Sequence, residues 1–143
     1  MMKVTDAALH AVSNQICFLE NSALPAADFP FCVLPPLPLK EQAALFRALL
    51  PEAEARGITL LVRTCGEAAD TGALKRVFAG MKGAGVCWDA AATLRAAEPL
   101  KTTVKSLFWV IRAAILPPSE IGLRAKELLL SEGYRGLFCF SEE

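Results

Sequence analysis

The chain has 143 residues, about the size of one domain, with 54% apolar and 21% charged residues, so it can bury a sizeable core and is far from a disordered composition. Lys plus Arg equals Asp plus Glu at 15 each, and no basic run exceeds a pair, which disfavours nucleic acid and anionic membrane surfaces as partners. The longest apolar stretches, such as Leu107 to Leu116, are too short to cross a bilayer, and no signal-peptide series opens the chain, so the expected location is the cytoplasm.

Residues 1–30 read as an irregular N-terminal segment. A short helical pattern (Asp6 to Val12) and the run Ile16-Cys17-Phe18-Leu19 give way to Asn21, Ser22, Pro25 and Pro30. From residue 31 the pattern becomes regular. Phe31 to Leu34 reads as a strand stopped by Pro35-Pro36. Between Lys40 and Arg56, Ala43, Ala44, Leu45, Leu49, Leu50 and Ala53 recur at helical spacing, with Pro51 the one irregularity and Gly57 the stop.

Ile58 to Val62 is apolar on both faces, the mark of a strand covered on both sides. A second helical pattern follows Asp70 and ends near Gly83. Gly85 to Trp88 is the next strand, closed by Asp89; Ala91 to Leu100 reads as a helix ended or bent by Pro99, and Leu107 to Ile111 as a further strand. Ser119 is a candidate cap for a helix running to Leu130, with Gly133 just past its end, and Leu137 to Phe140 is the last strand. Strand and helix alternating at roughly 25 to 30 residues per unit is the βαβ signature. The expected class is therefore α/β with about five parallel strands, either an open doubly wound sheet or an arc of a (β/α) TIM-type barrel.

Chemistry in such folds is placed where strands end. Those positions hold Pro35 and Pro36; Arg63 to Glu67; Asp89 to Ala92; Arg112 to Ala114; and Ser141 to Glu143. The motifs Gly57 to Val62, Gly66 to Asp70-Thr71, Gly85-Val86-Cys87-Trp88-Asp89 and Gly133-Tyr134-Arg135-Gly136 resemble the sugar phosphate isomerase/epimerase family, whose fold is a xylose isomerase-like (β/α) barrel. The resemblance runs from about Phe31 to Glu142, so residues 31–143 look like the C-terminal five-eighths of such a barrel.

The resemblance implies a divalent metal held by acidic and His side chains at strand ends, beside which a proton is moved next to a carbonyl. This chain departs from that pattern. The family's Glu falls on Arg63, its Asn and His fall on Thr64 and Cys65, a second His falls on Ala92, a later His and Asp fall on Ile111 and Ala114, and the terminal Glu falls on Ser141 beside Glu142. Only Asp89 is kept. One carboxylate facing a fixed guanidinium does not make a site for a hard cation, so no metal and no cofactor are expected. His10, the one histidine, lies outside the resemblance.

Arg63 and Asp89 stand at the ends of neighbouring strands and are expected to pair, the guanidinium replacing the lost cation. Cys65 near Arg63 lacks a His to act as its base, and Gly80 to Gly85 follows a helix where a phosphate loop would precede one. The five cysteines, Cys17, Cys32, Cys65, Cys87 and Cys139, have no paired spacing and read as buried thiols.

Two functions compete on this reading. One is a barrel fragment without metal-dependent catalysis, serving as a binding or assembly module or surviving as a relic. Its open sheet edges would be covered by a second copy or by a partner chain supplying the missing strands, and Arg63 with Asp89 would contact a small sugar-like ligand. The other is a sugar isomerase or epimerase working by carboxylate acid/base chemistry through Asp89, Glu67 and Glu142, completed by a partner chain.

Overall fold

The computed structural model describes residues 15–27, 29–64, 71–78, 83–95 and 98–140. Glu67, Cys65, Glu142, Ser141 and His10 lie outside them. Strands β1 (Ile16–Phe18), β2 (Phe31–Val33), β3 (Thr59–Arg63), β4 (Gly85–Asp89), β5 (Ile111–Leu116) and β6 (Leu137–Phe140) form a six-stranded sheet in sequence order, and every neighbouring pair is parallel. Helices α1 (Leu39–Ala55), α2 (Thr71–Phe78), α3 (Ala90–Arg95), α4 (Leu100–Leu107) and α5 (Glu120–Ser131) fill the crossovers, giving a curled half-barrel.

Three departures from the sequence reading matter. The sheet has six strands, not about five, because Ile16–Phe18 leaves the supposedly irregular segment and pairs with Phe31–Val33. The run Leu107 to Ile111 is not a strand. Leu107 ends α4, Phe108–Val110 is one 3-10 turn, and the strand starts at Ile111 and reaches Leu116. Arg112, Ala113 and Ala114 therefore lie inside β5, and the strand ends at Leu116, against Pro117. The single helix expected over Ala91 to Leu100 is likewise two, α3 and α4, parted at Glu98 and Pro99.

The alternation of the strands sorts the core into two sides. Leu60, Val62, Val86, Trp88, Ala114 and Leu116 face the helices, joined by Phe46, Leu49, Val104 and Leu129. Leu61, Cys87, Ala113, Ile115 and Cys139 form the concave side with Val33 and Ile16. Cys87, Ala113 and Cys139 are the small members of that inner row, and Ile16, Val33, Leu61 and Ile115 fill the rest.

Glycines appear where the chain must turn or touch. Gly57 and Gly133 follow their helices at φ 69° and 89°, the left-handed conformation that ends a helix at least cost. Ser119 occupies the N-cap position of α5, but its side chain makes no capping hydrogen bond there. One carboxylate ties two helices together on the helical side. Glu98 accepts hydrogen bonds from the Thr71 hydroxyl at 2.6 Å and from the Thr103 hydroxyl, joining the start of α2 to α4.

Candidate functional site at the strand ends

Residues two apart on a strand share a face, so Arg63 follows Leu61, and Asp89 follows Cys87, onto the concave side at the C-terminal ends of β3 and β4. The two side chains meet, with Arg63 Nη2 donating to Asp89 Oδ2 at 3.4 Å. Asp89 is 1% exposed and the Arg63 side chain 14%. The contact is long for a charge-assisted hydrogen bond, yet it lies where water screens little.

Every polar atom of Asp89 is engaged. Its backbone N–H donates to Thr64 Oγ1 at 2.8 Å, and its carbonyl accepts from Thr93 Oγ1 at 3.4 Å. Its Oδ1 accepts from the Ala92 N–H at 3.1 Å, capping the first turn of α3, while Oδ2 takes the Arg63 contact. Thr64 also donates its own N–H to the Cys87 carbonyl at 3.1 Å, so one buried threonine latches β3 to β4 from both sides. Thr93 is shared, since its hydroxyl oxygen also accepts the Trp88 indole N–H at 2.8 Å.

Thr64 and Thr93 did not emerge from the sequence as site residues. The available signal was a small hydroxyl residue directly after a strand and another one turn into the next helix, a pattern suited to holding a strand end against a helix start.

The ends of β2 and β5 offer little further chemistry. β2 ends in Val33 and Leu34, and β5 in Ile115 and Leu116, with Pro117 next. Moving the end of β5 to Leu116 replaces the positions Ile111 and Ala114 with equally apolar ones. Among the described residues no group of three or more His, Cys, Asp or Glu side chains could hold a metal ion. Trp88 is buried on the helical side, and Trp109 lies at the opposite end of the sheet, so neither fills the mouth. Among the described residues no helix is long and apolar enough to cross a membrane.

The inner and outer cysteines are thiols held away from reaction. Burial pushes Cys139 up to about 11, and burial, reinforced by the neighbouring Cys17, pushes Cys32 up to about 11. Cys17, Cys32, Cys87 and Cys139 are all unbridged.

In a search of solved structures, the chain aligns with the crystal structure of a xylose isomerase domain protein from Planctomyces limnophilus, with a TM-score of 0.59 over 77% of this chain. The fold is xylose isomerase-like. Identity is 18%, and the half-barrel spans about half of that relative, 51% of its length. No family model matches the chain, and no curated protein matches it.

The Asp89 carboxylate is 1% exposed, and each of its oxygens accepts one hydrogen bond, Oδ1 from the Ala92 N–H and Oδ2 from Arg63. Among the described residues at these strand ends, the Arg63 guanidinium stands beside that carboxylate with its side chain 14% exposed.

Proposed function

We propose that the chain is a non-catalytic binding and assembly module built on a xylose isomerase-like half-barrel, with Arg63 contacting a small sugar-like ligand at the strand ends. The observation that carries this reading is the engagement of Asp89. The carboxylate that would act on a substrate is spent on Arg63 and on the Ala92 N–H. An anionic group on the ligand, such as a sugar phosphate, suits the Arg63 guanidinium.

The open sheet is what supports the assembly part of this reading. An eight-stranded barrel has no edges, whereas this half-barrel of six strands has β1 and β6 as its two ends. A second copy covering those edges is the expected partner, and light scattering of the purified chain tests it. A clean monomer across micromolar concentrations would remove the assembly part.

The test of function pairs binding with turnover. Sugar phosphates should raise the melting temperature of the chain, and Arg63→Met should abolish the shift. Incubated in deuterated water with aldose and ketose phosphates and added Mg, Mn or Co, the chain should wash in no deuterium above buffer. Wash-in that falls in Asp89→Asn would replace this reading with the second one, isomerisation by carboxylate acid/base chemistry completed by a partner chain. Its support is that the chain spans only about half of its structural relative.

A further inference from the structure

The opposite end of the sheet carries a different surface. A cavity of about 430 Å³ opens at the strand starts, where Phe31 begins β2, Ile111 begins β5 and Leu137 begins β6. That volume lies within the range of small-molecule sites. Its walls hold Trp109, Phe108, Tyr134, Arg112 and Arg135, and no carboxylate is among its described lining residues.

Trp109 is 82% exposed, the most exposed large apolar side chain described, and it contributes nothing to the core. Its position is nonetheless fixed. The 3-10 turn Phe108–Val110 sets its backbone, and the Phe108 ring meets the indole edge-on, with centroids 5.4 Å apart at 78°. Arg112 Nη1 donates to the Trp109 backbone carbonyl at 2.9 Å, so the guanidinium is held against the turn that carries the indole.

Arg135 arrives from the turn before β6. That turn approaches closely because residue 136 is glycine: a Cβ there would stand 2.7 Å from the Arg112 carbonyl oxygen and would also strike the Tyr134 hydroxyl. The Tyr134 hydroxyl donates to the Leu137 carbonyl at 2.7 Å, which closes the turn and keeps Arg135 at the rim.

A fixed, water-exposed indole face beside two guanidinium groups matches one ligand chemistry. We propose that this cavity binds a phosphate ester carried on a ring, the ring stacking on Trp109 and the phosphate lying between Arg112 and Arg135. Guanidinium groups suit phosphate oxygens through paired N–H donors, and an indole accepts the flat face of a nucleobase or the C–H face of a sugar. The site is separate from Arg63, which lies at the other ends of the strands.

Two tryptophans make the test selective. Trp88 is 0% exposed with its N–H bonded to Thr93, so emission from the water-exposed class reports Trp109. The full chain is titrated with adenosine monophosphate and with glucose 6-phosphate, using adenosine and inorganic phosphate as controls. Saturable quenching by either ester, with both controls at least about tenfold weaker, is expected; which ester binds tells a nucleotide from a sugar phosphate. Arg135→Ala, a substitution at an exposed rim position, should weaken binding about tenfold, and Trp109→Leu should weaken it similarly by calorimetry. Absence of saturable quenching at millimolar ester overturns the proposal. So does binding that survives Arg135→Ala but is lost in Arg63→Met.

Discussion

Replacing Arg63 by Met and Asp89 by Asn, singly and together, measures how firmly the two strand ends are tied. At roughly 4 Å between charge centres, an effective dielectric near 20 gives an attraction of about 4 kcal/mol before desolvation is counted. A hydrogen bond to a charged group contributes about 1.5–3 kcal/mol net, and the 3.4 Å separation places this one toward the lower end.

Arg63→Met leaves a carboxylate that is 1% exposed without its guanidinium, keeping the Ala92 N–H, and should cost about 3 kcal/mol. Asp89→Asn preserves the helix cap, since Asn caps as well as Asp, and loses the ion pair for about 2 kcal/mol. The double variant, with no charge left to strand, should cost about 3 kcal/mol rather than the sum of the two, a coupling of about 2 kcal/mol. Urea unfolding of the four proteins at low and high salt gives these values. The coupling should change little with salt because the carboxylate is buried. A coupling under about 0.5 kcal/mol would refute the argument, because the pair would then behave as an exposed one.

Gly122→Ala should destabilise the fold by about 2–4 kcal/mol despite the better helix propensity of Ala, because a Cβ at this point of α5 collides with the Pro117 carbonyl oxygen and stands 3.0 Å from its carbon. A melting temperature equal to that of the unmodified chain would mean that α5 does not seat on the end of β5 in this way. Alkaline stability tests the inner row. Cys139 is pushed up to about 11 from its ordinary value of 9.0, so the folded state resists ionisation more than the unfolded chain. Its contribution is fully present below pH 9, falls as pH rises through about 11, and amounts to roughly 2–3 kcal/mol. Chemical unfolding across that window should show the decline, shallower in Cys139→Ala; an identical slope would exclude Cys139 as its source.

The parts of the fold that could be read from the residues are those where local and global preferences agree. Thr59–Arg63 and Gly85–Asp89 are apolar on both faces because helices cover one side and the curled inner row the other, and such runs announce a parallel strand. The positive-φ glycines at 57 and 133 marked two helix ends for the same local reason. Ile16–Phe18 was hidden because three residues carry no measurable period, and its strand character comes from pairing with Phe31–Val33, a tertiary fact. Helix α4 was hidden by composition, since Thr102, Thr103 and Val104 are β-branched and favour strands when read alone. Once that helix was missed, the apolar run after it took the strand that belongs to Ile111–Leu116.

The same error bears on the site, and its effect is instructive. Shifting β5 moved two of the positions compared with the metal-binding family, yet apolar residues stood at the old and the new places alike, so the expectation of a ligand-poor mouth did not depend on that alignment. The Arg63–Asp89 contact depended only on β3 and β4, whose ends were legible: the register sets Arg63 opposite Cys87, and Asp89, two residues on along the same face, lies within reach of the guanidinium. What periodicity could not supply is the set of bonds that immobilises Asp89. Thr64, Ala92 and Thr93 reach it through a backbone N–H, a helix turn and a hydroxyl, none of which leaves a mark on the hydrophobic pattern. Two of those bonds fix the backbone of Asp89 and one holds Oδ1 on the first turn of α3, while Oδ2 meets Arg63 from β3, so the side chain stands in one orientation at a strand end where it is 1% exposed.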